Sequence, residues 1–281
     1  MIHNLISINK YEIKLDYTVK DSLKSFKEEV LDELYRVYKL NGDIPLLYSG
    51  GMDSTFILRS LQELGISPRI VSFSFTEDNS DFDCELVKAK CKKYDVRPPE
   101  FFYIDGNKIQ EHVEYLVEER DIAYPMLHGF FMDYFLSVNK DEKYFTGMSG
   151  EFKLKSGKIV LPYGPLMVKQ NNPDRLFCFT SDRTFLSYFK HKQFIANYKN
   201  PNPLMANGQE DQWYIRDLIY MDCYPDMERE IKNLPNTWRY HITTPFYKNV
   251  VPYLTERYPL LYNPRCWITQ CEFDPEFLVN L

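Results

Sequence analysis

The sequence predicts an α/β fold: a twisted parallel sheet with helices on both faces, followed by an irregular and helical C-terminal region. Two observations lead to this class. Short apolar runs, typical of buried strands, alternate with helical segments along residues 42–151. A turn with two consecutive glycines separates the first of these strands from the helix after it. Strands joined by helices in this way pair in parallel through right-handed crossovers.

The segments before the sheet come first in the chain. Residues 1–18 alternate weakly between polar and apolar side chains and predict one or two short strands. Residues 21–40 predict a helix, because apolar side chains recur there at three- and four-residue spacing. Asp21 or Ser22 is expected to cap the start of this helix, and Gly42 is suited to the turn that ends it.

The core alternates strands and helices, and the alternation ends after residue 150. Strands are predicted at residues 44–48, 69–75, 101–104 and 143–146, and helices at residues 53–64, 82–94, 107–119 and 125–139. Beyond the core, residues 152–180 predict short strands and turns, and residues 184–198 and 209–222 predict helices. We therefore expect an N-terminal segment (1–41) packed on an α/β core (42–151), with a C-terminal region (152–281) that binds substrate.

Composition limits the function classes. The 281 residues carry a net charge of -6, and no basic run long enough for a nucleic-acid surface occurs, which argues against an RNA or DNA partner. No apolar run reaches the ~20 residues of a membrane helix, and the first residues lack a signal-peptide pattern, so a cytoplasmic protein is expected. The six cysteines include no Cys-x-x-Cys pair, and we expect reduced, partly buried thiols.

The glycine turn carries the main functional signal. Residues 49–54 read Ser-Gly-Gly-Met-Asp-Ser, directly after a buried strand and at the start of a helix. Two glycines leave the backbone amides open to an anion, and the helix dipole adds positive charge. Ser49 and Ser54 can donate hydrogen bonds to phosphate, and Asp53 fits such a site if Mg²⁺ accompanies the phosphates. The alternative is an ordinary turn in which Asp53 only caps the helix.

This string is neither a Walker A loop nor a dinucleotide fingerprint; it resembles the Ser-Gly-Gly-x-Asp-Ser signature of the PP-loop ATP pyrophosphatases. The synthetase domain of asparagine synthetase and its β-lactam synthetase relatives are the most similar members. Further segments resemble that family in the same order over residues 20 to about 255: residues 72–76, residues 118–121 with Pro125, residues 145–151 and residues 244–251.

The resemblance implies ATP and Mg²⁺ as cofactors, a HUP-type (PP-loop) sheet, and cleavage of ATP to AMP and pyrophosphate. It assigns roles by position. Leu47 and Phe75 contact the adenine or ribose through backbone atoms, and Thr146 and Gly147 hold the AMP half. Pyrophosphate is held by Ser49, Gly50, Gly51, Asp53 and Ser54. The expected metal ligands are Asp53 and Glu151, and the expected catalytic residues are Asp53, Glu151 and Lys248, with Lys153 as an alternative lysine.

Departures from the family pattern leave three hypotheses. Met148 stands where the family has a loop glutamate, and Glu151 stands where it has an aspartate. We also expect no glutaminase domain. The first hypothesis is an adenylate-forming ligase for a small carboxylate or carbonyl substrate, with a separate ammonia or amine donor. The second is an ATP-binding regulatory or accessory protein without catalysis. The third, an RNA base-modifying enzyme, is disfavoured by the acidic pI of about 5.5.

Overall fold

The structure, a computed structural model, describes residues 17–115, 134–135, 137–139, 143–147, 153–155, 158–162, 175–176, 181–199, 210–228, 252, 256–257 and 269–273. The chain divides into two compact units. The first unit comprises residues 1–9, 71–142 and 230–268, and the second comprises residues 10–70, 143–229 and 269–281. Strands and helices are numbered below in chain order.

Parallel strands form the centre of the second unit. Strands β1 (Leu46–Leu47), β4 (Tyr144–Thr146) and β7 (Arg175–Leu176) pair in parallel, with β4 between the other two. On the other side of β1, the Leu46 N–H donates to the carbonyl of Arg69 at 2.8 Å. Strand β2 (Ile70–Ser74) starts directly after Arg69 and continues into the first unit.

Helix α1 (Phe26–Asn41) begins later than the sequence pattern predicts. Ser25 caps it: the Ser25 side chain accepts from the Glu28 N–H, and the Glu28 side chain accepts from the Ser25 N–H. This capping box satisfies two backbone donors at once, which explains why it is favoured over a start at Asp21 or Ser22. Those two residues belong instead to a 3₁₀ helix, Tyr17–Ser22. The predicted turn at Gly42 is confirmed by its φ of 80°.

Within the described residues, the other helices of the second unit are α2 (Met52–Glu63), α5 (Asp182–Lys190), α6 (Lys192–Lys199) and α7 (Glu210–Cys223). Aromatic rings pack α2 against its neighbours: Phe56 is stacked on Tyr220 of α7 at 4.1 Å and on Phe26 of α1 at 5.7 Å between ring centroids. A separate antiparallel sheet has the order β5 (Lys153–Lys155), β6 (Lys158–Pro162) and β8 (Thr269–Phe273).

The first unit contains the rest of β2, which pairs in parallel with β3 (Glu100–Tyr103). Its helices include α3 (Phe82–Lys93) and α4 (Gly106–Glu114). Cys84 and Cys91 of α3 are both buried free thiols, as their seven-residue spacing indicates. Burial raises the pKa of Cys91 to about 11 and that of Cys84 to about 12. Both thiols are therefore protonated at neutral pH, which makes them poor nucleophiles.

The predicted α/β class with parallel strands is confirmed, and most predicted elements are found within two residues of their expected ends. Besides the later start of α1, one strand is shorter than predicted and one helix is broken. The strand predicted at 44–48 comprises only Leu46–Leu47, the two residues that pair with Phe145 and Thr146 of β4. The helix predicted at 184–198 is broken at His191, whose backbone is extended, with ψ at 135°. The predicted N-terminal strands and most of the helix at 125–139 lie outside the described residues.

Among the helices that the structure describes, none combines the length and apolar character needed to span a lipid bilayer.

Candidate functional site

The glycine turn connects β1 to α2 within the second unit. Gly50 has a φ of 69°, a conformation that glycine adopts without steric cost. Gly51 is the N-cap of α2, and no side chain of the described residues caps this helix. The α2 N-terminus therefore keeps backbone N–H groups without a side-chain acceptor, together with the positive end of the helix dipole.

Two serine hydroxyls close the turn. The Ser49 and Ser54 Oγ atoms are 3.2 Å apart, and the Ser54 hydroxyl donates to the Gly51 carbonyl at 3.2 Å. The Gly51 N–H donates to Ser49 Oγ, and the Ser49 N–H to Ser54 Oγ, both at 3.3 Å. These distances are at the long end of the range for hydrogen bonds. A charged acceptor that forms shorter bonds to the same hydroxyls and amides would replace them at little cost.

Gly147, directly after β4, packs against the same helix start. A Cβ atom at this position would lie 2.6 Å from the Ser54 Cα and closer still to the Ser54 backbone nitrogen. Real Cβ atoms do not approach backbone this closely. Only glycine therefore allows the end of β4 to lie against the first turn of α2.

Thr146, the last residue of β4, brings a buried hydroxyl to this region. It is paired in register with Leu47, two residues before Ser49. Its side chain is almost fully buried, and its Oγ1 has no hydrogen-bond partner among the described residues. A buried hydroxyl without a partner costs about 1–3 kcal/mol, and such groups are rare in folded proteins. A ligand acceptor would remove this cost.

Asp53, in the first turn of α2, has both carboxylate oxygens occupied by side chains of α7. Arg216 Nη1 donates to Asp53 Oδ2 at 2.9 Å, and the Tyr220 hydroxyl donates to Oδ1 at 3.0 Å. Residues 216 and 220 are four apart, so they share one face of the helix. Phe56 stacks on the Tyr220 ring and fixes the hydroxyl in place.

The Arg216 guanidinium lies between two carboxylates. Its Nη2 and Nε donate to Asp217 Oδ1 at 2.9 and 3.2 Å, while Nη1 bonds Asp53. Only 15% of the Arg216 side chain is exposed. Burial lowers the pKa of Arg216, but the charges of Asp53, Tyr220 and Asp217 outweigh this effect and hold the pKa above its usual value. The site therefore holds a permanent cation next to the α2 N-terminus.

This donor set fits a phosphate group: backbone amides at a helix start, two hydroxyls and a nearby guanidinium. The same residues, as arranged, do not fit a Mg²⁺ ion. Asp53 is the one predicted metal ligand that the structure describes, and both its oxygens accept hydrogen bonds. No group of three or more metal-binding side chains occurs among the described residues.

The other predicted site residues are placed as follows. Phe75 follows β2 in the first unit, and its N–H donates to Asp81 Oδ2 at 2.8 Å. That amide would have to leave Asp81 in order to bond a base. Glu151, Met148 and Lys248 lie outside the described residues, and Lys153 is the first residue of β5.

Arg216 and Tyr220 were not identified from the sequence as site residues. One signal was present: Arg216 stands beside Ile215 and one turn before Ile219, both of which are buried. A cation in such an apolar segment requires a buried partner, but its identity depends on which helix lies opposite.

Comparisons of the chain with protein-family models, with curated proteins and with solved structures find no match.

Proposed function

We propose that this chain is an ATP-dependent, adenylate-forming ligase that cleaves ATP to AMP and pyrophosphate. The observation that supports this most is the turn at residues 49–51. It follows a parallel strand, opens an uncapped helix and gathers two serine hydroxyls at the helix start. In parallel α/β sheets, ligands bind at the carboxyl ends of the strands. The β and γ phosphates of ATP suit this turn because each needs several donors and a positive field.

The proposed first step joins a small carboxylate substrate to the α phosphate. A carboxylate oxygen attacks the α phosphorus, and the bond from that phosphorus to the α–β bridging oxygen breaks. The bridging oxygen keeps the electron pair and leaves as part of pyrophosphate. Amides of the turn and the hydroxyls of Ser49 and Ser54 donate to this leaving group, whose negative charge grows in the transition state.

The proposed second step transfers the acyl group. An amine or ammonia nitrogen attacks the acyl carbon, the bond from that carbon to the AMP oxygen breaks, and the nitrogen loses a proton. AMP is the second product. Leu47, Thr146 and Gly147 lie at the ends of the adjacent strands β1 and β4, where they suit the AMP half, with the Thr146 hydroxyl as a donor.

A second candidate function is ATP binding without catalysis, in a regulatory or accessory role. The engagement of both Asp53 oxygens by Arg216 and Tyr220 favours it, because an acidic residue held in this way is not open to a metal ion. This candidate shares the ATP site and differs only in the absence of product formation.

Product analysis tests the proposal. The protein is incubated with ATP labelled at the α phosphate, Mg²⁺ and a panel of small carboxylates with ammonia or amines, and ATP–pyrophosphate exchange is followed. We expect labelled AMP and carboxylate-dependent exchange. Formation of ADP would contradict α–β cleavage, and ATP binding without any product would favour the second candidate.

Two serines of α2 provide a matched pair of variants for this experiment. Ser54→Ala removes a hydroxyl from the turn, whereas Ser60→Ala removes one that bonds to the Phe56 carbonyl further along the helix. We expect S54A to lower exchange by about tenfold or more, the usual scale for loss of one transition-state donor. S60A should leave the exchange rate per folded protein unchanged.

A further inference from the structure

We infer that Arg216 is a positioning residue of the phosphate site, and that Asp53 serves as its anchor rather than as a ligand of Mg²⁺. This inference deepens the proposed function and rests on it. In this arrangement the Arg216 charge offsets the Asp53 charge, so that a polyphosphate can bind at the start of α2. Any metal ion is bound by the phosphates.

Asp53 and Arg216 meet at the start of α2. Asp53 is the second residue of α2 and lies in the same turn as the backbone N–H groups that face the glycine turn. The 2.9 Å bond from Arg216 Nη1 to Asp53 Oδ2 therefore holds the guanidinium beside this helix start. Side-chain exposures of 15% for Arg216 and 24% for Asp53 leave the pair only partly accessible to water, and charges interact more strongly there than at a fully exposed surface.

The charge of Arg216 opposes that of Asp53 beside the phosphate site. An unpaired Asp53 carboxylate would repel a phosphate bound one turn away, while the Arg216 charge, which is shared with Asp217, reduces this repulsion. Asp217 bonds the guanidinium from its other side, which fixes its orientation. Direct coordination of Mg²⁺ by Asp53 would break the bonds from both Arg216 and Tyr220. Because Mg²⁺ commonly keeps several waters and binds through substrate phosphates, a metal carried by the nucleotide avoids this loss.

A purely structural ion pair would also join α7 to α2, so stability alone does not separate the two roles. A second variant separates the positioning role from the structural role. If Arg216 acts by cancelling the Asp53 charge, replacing Asp53 with the neutral Asn should restore phosphate binding in a protein that lacks Arg216. A structural role predicts no such rescue, because the double variant has lost both partners.

The test measures equilibrium binding of pyrophosphate and of ATP, each in excess EDTA and in Mg²⁺. The proteins are the wild type, R216A, R216K, D53N and R216A/D53N. The control is R183A, because Arg183 pairs with the buried Glu29 at 2.8 Å and lies on α5 rather than at the glycine turn. Thermal unfolding of each variant confirms folding, and R216K keeps a cation if R216A folds poorly.

We expect R216A to weaken pyrophosphate binding in EDTA by about tenfold or more, R216K to be intermediate, and R216A/D53N to recover most of the loss. R183A should bind as the wild type does. D53N should keep the full effect of Mg²⁺ on ATP affinity. Unchanged binding by R216A, absence of rescue, or loss of the Mg²⁺ effect in D53N would overturn the inference while leaving the proposed function intact. A wild type that binds neither ligand would overturn both.

Discussion

Asp53 and Arg216 are 163 positions apart in the sequence, and their side chains meet with 2.9 Å between Oδ2 and Nη1. The contact joins the first turn of α2 to α7, and Tyr220 reinforces it on the other carboxylate oxygen. Helix α7, which follows the parallel strands in the sequence, thus places the positive charge of Arg216 beside the glycine turn. The turn and α7 therefore belong to one candidate site.

The Asp53–Arg216 pair should contribute measurably to stability. We expect a double-mutant cycle with Asp53→Asn and Arg216→Ala to give a coupling of about 1–3 kcal/mol, because the pair is largely shielded from water. Urea unfolding of the wild type, the two single variants and the double variant measures this coupling. The exposed pair Lys24–Asp32, with half or more of each side chain accessible, is the control and should couple much more weakly, because water screens it. Equal coupling in both pairs would contradict the burial argument.

Gly147→Ala should disturb the contact between β4 and α2. A methyl group there would overlap the Ser54 backbone, and we expect a loss of about 1–3 kcal/mol in unfolding free energy, as for overpacked cores. Gly42→Ala is the control: its φ is 80°, but no atom of the described residues lies within 4 Å of the added Cβ. Because the ψ of Gly42 is −147°, outside the left-handed α region, alanine there should cost about 1–3 kcal/mol through backbone strain alone.

The two glycine variants differ in their effect on the site. G147A should also weaken ATP binding because it displaces the helix start, whereas G42A should not. Wild-type ATP affinity and stability in G147A would show that the end of β4 does not pack on Ser54 as described.

Thr146→Val should separate stability from binding. Valine keeps the shape and removes a buried hydroxyl that has no partner among the described residues. We therefore expect the free energy of unfolding to be unchanged or slightly higher. ATP binding should weaken by about fivefold or more, because one hydrogen bond contributes about 1 kcal/mol. A destabilised T146V with normal ATP affinity would show that the hydroxyl bonds to protein instead of ligand.

His191 should make the second unit sensitive to acid. Burial lowers its pKa below 6.5, and this effect outweighs the opposing charge of Asp222. Its Nδ1 also accepts a hydrogen bond from the Gln193 N–H, which the protonated ring cannot do. The unfolded chain therefore binds the proton more tightly, so stability is fully present above pH 6.5 and falls as the pH drops towards the lowered pKa.

Urea unfolding of the wild type and of His191→Gln across pH 5–8 measures this contribution. Below pH 6.5, we expect the free energy of unfolding to decrease less in His191→Gln than in the wild type. Parallel pH profiles for the two proteins would contradict the assignment to His191.

Local sequence signals anticipated the sheet because periodicity and capping act between near neighbours. The strand–turn–helix unit around Gly50 and Gly51 was predicted within one residue at the helix start, since two glycines and a buried apolar run leave few alternatives. The Ser25 cap was missed because Asp21 and Ser22 are equally good caps by composition, and only the reciprocal bond with Glu28 separates them. The Asp53–Arg216 pair was not predictable, because nothing local indicates which helix faces α2.

The proposal depends most on phosphate binding by the glycine turn, and Gly51→Val tests this directly. Gly51 has φ −73° and ψ 169°, which valine also adopts, and among the described residues the added Cβ meets only the Ser49 hydroxyl, at 3.3 Å, which has to move by a few tenths of an ångström. The backbone therefore tolerates valine, while its methyl groups fill the space beside the amides. Titration with ATP, with unfolding temperature as the check on folding, should show binding by the wild type and a loss of about tenfold or more in G51V. Equal affinities in the two folded proteins, or no binding by the wild type, would contradict the proposed ATP site.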